Sequence, residues 1–194
     1  MNIFNLYLCG VGGQGIGLLA EVIIQAVELK NIPVIGADTH GLAQRGGTVR
    51  SHIRIGSKAK TPLISQGQAD AIIGLERLEA LRGIREMLQK EGTALYYDAV
   101  YQPVHVRSFN AKYPEESELQ DAIEMKSGKL HRVCLDSLPD ERMQNVALLA
   151  MTGKIELIPG IDNKHIRAAL DLTLPTHLKA KNLEFYDSIV QTSG

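Results

Sequence analysis

The chain has 194 residues, 44% of them hydrophobic and 22% charged, with a formal net charge of −1. That balance suits one soluble domain with a substantial core and excludes a disordered chain, and the near-zero charge gives no global basis for binding nucleic acid or an anionic membrane. No window approaches the roughly 18 consecutive apolar residues of a membrane span, and Met1–Asn5 lacks the basic start of a signal peptide, so a cytoplasmic chain is expected.

In chain order, Ile3–Cys9 is a mostly apolar run that reads as a buried strand. From Gly15 to about Lys30 the apolar residues recur at helical spacing, and Pro33–Ala37 is a second strand. Strand, glycine turn, helix and strand make a βαβ unit, with its two strands parallel. Residues 38–47 are polar and glycine-rich and read as a loop. Thr48–Ile55 alternates: Val49, Ser51, Ile53 and Ile55 share one face and Thr48, Arg50, His52 and Arg54 the other, which predicts an edge or antiparallel strand. Ala69–Leu75 reads as a buried parallel strand, Glu76–Lys90 as an amphipathic helix and Thr93–Asp98 as a strand. Residues 102–130 read as an irregular insertion, with a short strand at Val104–Arg107 and a surface helix at Glu116–Met125. His131–Leu135 is a late strand, and helices follow near Asp140–Met151, Asp162–Leu172 and Leu178–Val190. The fold class expected is a Rossmann-like α/β three-layer sandwich over residues 1–194, with a mostly parallel sheet and an additional antiparallel or edge strand.

Gly10-Val11-Gly12-Gly13-Gln14-Gly15 fits the pattern G-x-G-x-x-G between a strand and a helix. Its first glycine permits a tight turn, the second close approach of a ligand or backbone, and the third helix–sheet packing, while amides at the helix start favour an anion. Asp38 stands near the position of a ribose-binding carboxylate. Gly13 is an additional glycine and points to approach by protein backbone as much as by a pyrophosphate. The two cysteines, Cys9 and Cys134, lie in apolar stretches with no Cys-x-x-Cys, and are read as buried structural thiols.

A second feature is charge. Thr39 to Ala69 contains no Asp or Glu, while Arg45, Arg50, Arg54, Lys58 and Lys60 contribute five positive charges. His40 and Gln44-Arg45-Gly46-Gly47 put a histidine and an arginine in a glycine loop, and Arg50, His52 and Arg54 follow on one strand face. Guanidinium groups so clustered can hold a carboxylate or phosphate, or meet a partner subunit. No nucleophile elbow, zinc-protease motif or phosphate loop occurs.

GVGGQG at 10–15, THGLAQRGGTVRSHIRIG at 39–56 and QADAIIGLERLEALR at 68–82 together resemble the gamma-type subunit of 2-oxoacid:ferredoxin oxidoreductases. The Ala43–Gly47 loop with Ser51-His52 resembles the indolepyruvate branch, and Gln144–Leu149 is similar to the family's Asn-containing helix. The resemblance implies a subunit of an enzyme that oxidatively decarboxylates a 2-oxoacid to an acyl-CoA and passes electrons to ferredoxin. It implies thiamine diphosphate, magnesium, iron–sulfur clusters and coenzyme A in the holoenzyme, held mainly by a large partner subunit, with ferredoxin reached through the complex. No catalytic residue and no metal ligand is assigned to this chain. The residues expected to face the active site or a cofactor are Gly10, Gly12, Gly13, Gln14, Gly15, His40, Gln44, Arg45, Gly46, Gly47, Arg50, His52 and Arg54. A stand-alone nucleotide-binding module, a purely structural subunit, and a homodimer when isolated are the other readings kept.

Overall fold

In the computed structural model the described residues are 3–39, 47–100 and 113–192. Strand β1 (Phe4–Val11) leads through the glycine turn into helix α1 (Ile16–Glu28), followed by β2 (Val34–Thr39) and β3 (Thr48–Ile55). Then come β4 (Ala69–Gly74), α2 (Arg77–Glu86), β5 (Leu88–Tyr97), α3 (Glu116–Glu124) and β6 (Lys129–Val133). A short 3-10 turn at Glu141–Met143 opens the C-terminal helices α4 (Gln144–Lys154), α5 (Asn163–Thr173) and α6 (Thr176–Thr192).

The strands form one sheet in the order β2-β3-β1-β4-β5-β6. β1, β4, β5 and β6 pair in parallel, and β3 runs antiparallel to both β1 and β2. The mixed sheet expected from the sequence is therefore present, with two corrections. β3 is an interior strand, and the edge is β2. The two strands of the βαβ unit run in the same direction but do not touch, because β3 is inserted between them.

The central strands read as continuous apolar runs because they are covered on both faces. Leu6, Leu8, Ile73 and Leu95 point to the layer of α1, α4, α5 and α6, while Tyr7, Cys9, Ile72 and Tyr96 point to α2 and α3. Other boundaries also shift. The helix expected to Lys90 ends at Glu86, because Leu88 already pairs with Ala69 as the start of β5. β6 ends at Val133, so Cys134 lies just past an edge strand and is exposed, correcting the expectation of two buried thiols; Cys9 is buried. The Val104–Arg107 strand lies outside the described residues.

Candidate functional site

α1 and α2 leave the adjacent strands β1 and β4 toward opposite faces of the sheet. The carboxyl ends of β1 and β4 therefore flank a crevice at a topological switch point, where open α/β sheets place their ligands. The glycine turn forms one wall. Gly13 and Gly15 have φ of 101° and 84°, in the left-handed region that glycine tolerates, and Gly15 is the N-cap of α1.

Three of the turn's amides are spent inside the protein. Val11 N donates to Gln14 Oε1 at 2.7 Å, Gln14 N to Val11 O at 3.2 Å and Gly12 N to Gly47 O at 2.9 Å. The buried Gln14 side chain then spans the crevice and donates from Nε2 to Leu75 O at 3.0 Å. Gly10 leaves the room for it: a Cβ there would lie 3.0 Å from Gln14 Oε1 and from Leu75 Cβ. The turn is thus locked to β4 and to the end of the basic loop, not held open as a pyrophosphate cradle. Asp38 pairs in register with Ser51 of β3, so a whole strand separates it from β1. In a dinucleotide fold the acidic residue ends the strand next to the turn; here that arrangement is broken.

The structure divides the basic strand face. Arg50 lies opposite Cys9, near the turn, with Arg50 NH2 4.0 Å from Glu86 Oε2. Arg54 lies opposite Asn5, about 13 Å further along the strand, where it donates to Asn5 Oδ1 at 2.8 Å and Thr61 O at 3.0 Å. His52 is buried: its ring meets Tyr7 edge-on, and its Nδ1 accepts from Ile64 N at 3.2 Å. Burial first, and the Arg50 charge second, hold its pKa below the usual value, matching that acceptor role. Gly47 joins the turn directly through its carbonyl, while His40, Gln44, Arg45 and Gly46 lie outside the described residues.

The other wall carries groups that pattern reading passed over. Glu76 is fully buried at the end of β4, where its carboxyl caps α2 by accepting from Leu78 N at 2.9 Å and Glu79 N at 2.5 Å. It also accepts from the Tyr113 hydroxyl. Burial pushes its pKa up to about 7, against the hydrogen bonds that favour the ionised form. Glu79, also buried, accepts from Thr48 Oγ1 at 3.0 Å and Arg82 NH1 at 2.6 Å. Next to them Arg77 and Arg132 both hold Asp98, at 2.6 Å each. Burial pushes Asp98 up, but the two arginines outweigh it and its pKa is lowered. The available signal was a glutamate directly after an apolar strand, followed three residues later by another.

On the far side of the turn, Asn145 of α4 lies against Gly15, its Nδ2 3.5 Å from Gly15 O. Here α1, α4 and α6 line a half-open cavity of about 330 Å³.

Among the described residues no group of three or more His, Cys, Asp or Glu side chains could hold a metal ion, and no helix is long and apolar enough to cross a membrane. An iron–sulfur cluster takes four protein ligands, usually thiolates. This chain has two cysteines, and the Cys9 thiol is buried with Sγ donating to Glu79 O at 3.2 Å, so the donor set does not fit a cluster. Among the described residues the carboxyls at the crevice are engaged as helix cap and ion-pair acceptors and three turn amides are taken, so these groups do not fit magnesium diphosphate.

The profile of the pyruvate ferredoxin/flavodoxin oxidoreductase family matches residues 5–192. The indolepyruvate oxidoreductase subunit IorB of Methanothermobacter thermautotrophicus is 30% identical over 94% of both chains. Among solved structures, the gamma subunit of a keto/oxoacid ferredoxin oxidoreductase from Geobacter sulfurreducens superposes with a TM-score of 0.63, at 15% identity over 97% of this chain and 96% of that one. The 2-oxoglutarate:ferredoxin oxidoreductase of Magnetococcus marinus gives 0.67 at 14% identity, and there the whole of this chain corresponds to 32% of a longer one. With nearly its whole length matched, the chain belongs to the pyruvate ferredoxin/flavodoxin oxidoreductase family.

Proposed function

We propose that the chain is the subunit of an indolepyruvate-type 2-oxoacid:ferredoxin oxidoreductase that carries neither thiamine nor iron–sulfur clusters. The observation that carries this reading is the near end-to-end match to a curated IorB subunit within a family matched over residues 5–192. The complete enzyme would oxidise a 2-oxoacid and coenzyme A to an acyl-CoA and carbon dioxide, with two electrons leaving for ferredoxin. Thiamine diphosphate with magnesium and the clusters would sit on a large partner subunit.

On that reading this chain positions and stabilises, and does not perform acid–base chemistry. Gln14 and the Gly12–Gly47 bond hold the glycine turn rigid against β4, which supports a fixed surface near the partner's active site. The acid-free segment from Thr39 to Ala69 would present positive charge to an anionic substrate, to coenzyme A or to the partner.

The test is reconstitution with a large partner bearing thiamine and ferredoxin-type motifs. Coenzyme A-dependent ferredoxin reduction is followed with indolepyruvate, phenylpyruvate, pyruvate and 2-oxoglutarate. The expected result is a stable complex, no activity from either chain alone, and kcat/KM at least about tenfold higher for the aryl 2-oxoacids. Full activity of the partner without this chain would overturn the assignment, and so would micromolar binding of NAD or ATP by the isolated chain.

A further inference from the structure

The crevice lies at the carboxyl ends of the parallel strands. At their amino ends, on the face that carries α2 and α3, the fold displays two patches of opposite charge. His52 and Arg54 of β3 point to that face, and each holds a residue of the segment that follows β3. Arg54 NH1 donates to Thr61 O at 3.0 Å and to Thr61 Oγ1 at 3.2 Å, while Ile64 N donates to His52 Nδ1 at 3.2 Å. Between these two clamps stands Leu63, 58% exposed. A single exposed leucine is ordinary on a protein surface, but this one is fixed on both sides and surrounded by one sign of charge. Lys58 and Lys60 are exposed beside it, and no Asp or Glu occurs from Thr39 to Ala69. Among the described arginines Arg54 alone makes no ion pair. Its Nε donates to Asn5 Oδ1 at 2.8 Å, so neutral groups order the guanidinium and leave its charge uncompensated.

The opposite charge sits on α3. The crossover from β5 through α3 to β6 returns the last turn of α3 to the end of the sheet where β6 starts. β3 finishes at that same end, since Ile55 pairs with Phe4 at the start of β1. Residues 113–125 contain five acids and no Lys or Arg. Glu116 and Glu118 face Arg132 and Arg85 of their own chain at 3.4 and 3.8 Å. Asp121 and Glu124 are exposed one turn apart, and Met125 next to them is 86% exposed. Lys126, the next cation, is turned back, its Nζ donating to Leu88 O at 2.9 Å. The two patches thus share one end of one face, separated by α2, which lies over β1, β4 and β5.

We infer that this face pairs with a second copy of itself, with Leu63, Arg54, Lys58 and Lys60 of one copy meeting Met125, Asp121 and Glu124 of the other. A two-fold axis along the strand direction exchanges the two sides of the face and keeps the same end, so the contact forms twice in a closed dimer. An apolar centre inside a charged rim is the common anatomy of a protein interface, and the flexible thioether of Met125 adapts to a fixed leucine. A preordered guanidinium loses little freedom on meeting a carboxylate. The chain itself displays the acidic surface that the basic patch requires, which makes a second copy the occupant. The crevice, at the other end of the strands, stays open to a different subunit.

Sedimentation of the full chain over a concentration series tests this. The native chain is expected to show a monomer–dimer equilibrium whose dissociation constant rises about tenfold or more when salt is raised through the screening range. Lys58→Glu with Lys60→Glu, and separately Asp121→Lys with Glu124→Lys, should each weaken the dimer about tenfold or more, because like charges then oppose. An equimolar mixture of the two double variants should dimerise again, with one native contact and one fully reversed contact. Leu63→Ser should weaken the dimer while the circular dichroism and thermal midpoint stay unchanged. A native chain that is monomeric at every concentration overturns the inference, as does a dimer that the variants leave intact or a mixture that stays monomeric. Variants that weaken only assembly with a large partner subunit would assign the face to that subunit and remove the second copy.

Discussion

Gly15 shows how one residue joins distant parts of this chain. Its φ of 84° starts α1 from a left-handed conformation, and a Cβ there would lie 2.5 Å from Asn145 Nδ2, 130 residues away. Gly15→Ala should therefore cost about 2–4 kcal/mol, part from the left-handed backbone and part from displacing Asn145. Urea unfolding measures it, and the double variant with Asn145→Ala should recover only the steric part; a loss no larger than that of a surface substitution would refute the contact. The sequence pattern announced the need for glycine at 10 and 15, met at 15 by the left-handed backbone and at 10 by the close approach of Gln14 and Leu75. It could not announce what Gln14 does, because the motif treats that position as free, whereas the folded chain uses its side chain to close the turn onto Leu75. Asp38 misled for a related reason: its distance from Gly15 along the chain was right, but β3 intervenes in space.

At the level of elements, the periodic signals located nearly every strand and helix among the described residues, and tertiary pairing set their limits. The apolar pair Met87-Leu88 extends a helical pattern as well as it begins a strand, and the bonds donated by Ala69 N to Met87 O and by Gly67 N to Glu86 O place the boundary there. Alternation in Thr48–Ile55 disclosed an antiparallel strand but not its interior place, because a buried His52 keeps a polar letter on an enclosed face. The start of α2 carries a pH prediction. Glu76 has a folded pKa raised to about 7, against about 4.3 in an unfolded chain. Its protonated form favours the fold, so that contribution is complete below about pH 4 and is lost as pH rises through 7. His52 and His131, whose pKa values burial lowers, act with the opposite sign in the same window. Comparison with Glu76→Gln isolates the carboxyl, since an amide can still cap the helix. Between pH 5 and 8 the native chain should lose stability relative to the variant by an amount on the order of 3 kcal/mol. Parallel curves of unfolding free energy against pH would show that Glu76 titrates normally.

For the whole molecule, the sheet order brings two sequence features to one end of the fold: the glycine turn and the return of the basic loop. Their meeting is fixed by the bond from Gly12 N to Gly47 O and by the pairing of Val11 with Thr48. Arg45 stands two residues before Gly47 in the sequence, outside the described residues. Exposed ion pairs contribute little to the stability of the chain that carries them. Across a subunit interface the same guanidinium can meet a carboxylate or phosphate through two hydrogen bonds, and arginines are frequent energetic centres there. Arg45→Ala should accordingly leave the thermal midpoint of the isolated chain unchanged while lowering complex formation or turnover about tenfold or more. Added salt should weaken assembly of the native pair more than that of the variant, because one screened contact is already gone. Sedimentation of the reconstituted pair at two ionic strengths, beside melting curves of the chain alone, separates the outcomes. A lowered midpoint would make Arg45 a folding residue, and unchanged assembly and turnover would remove it from the interface altogether.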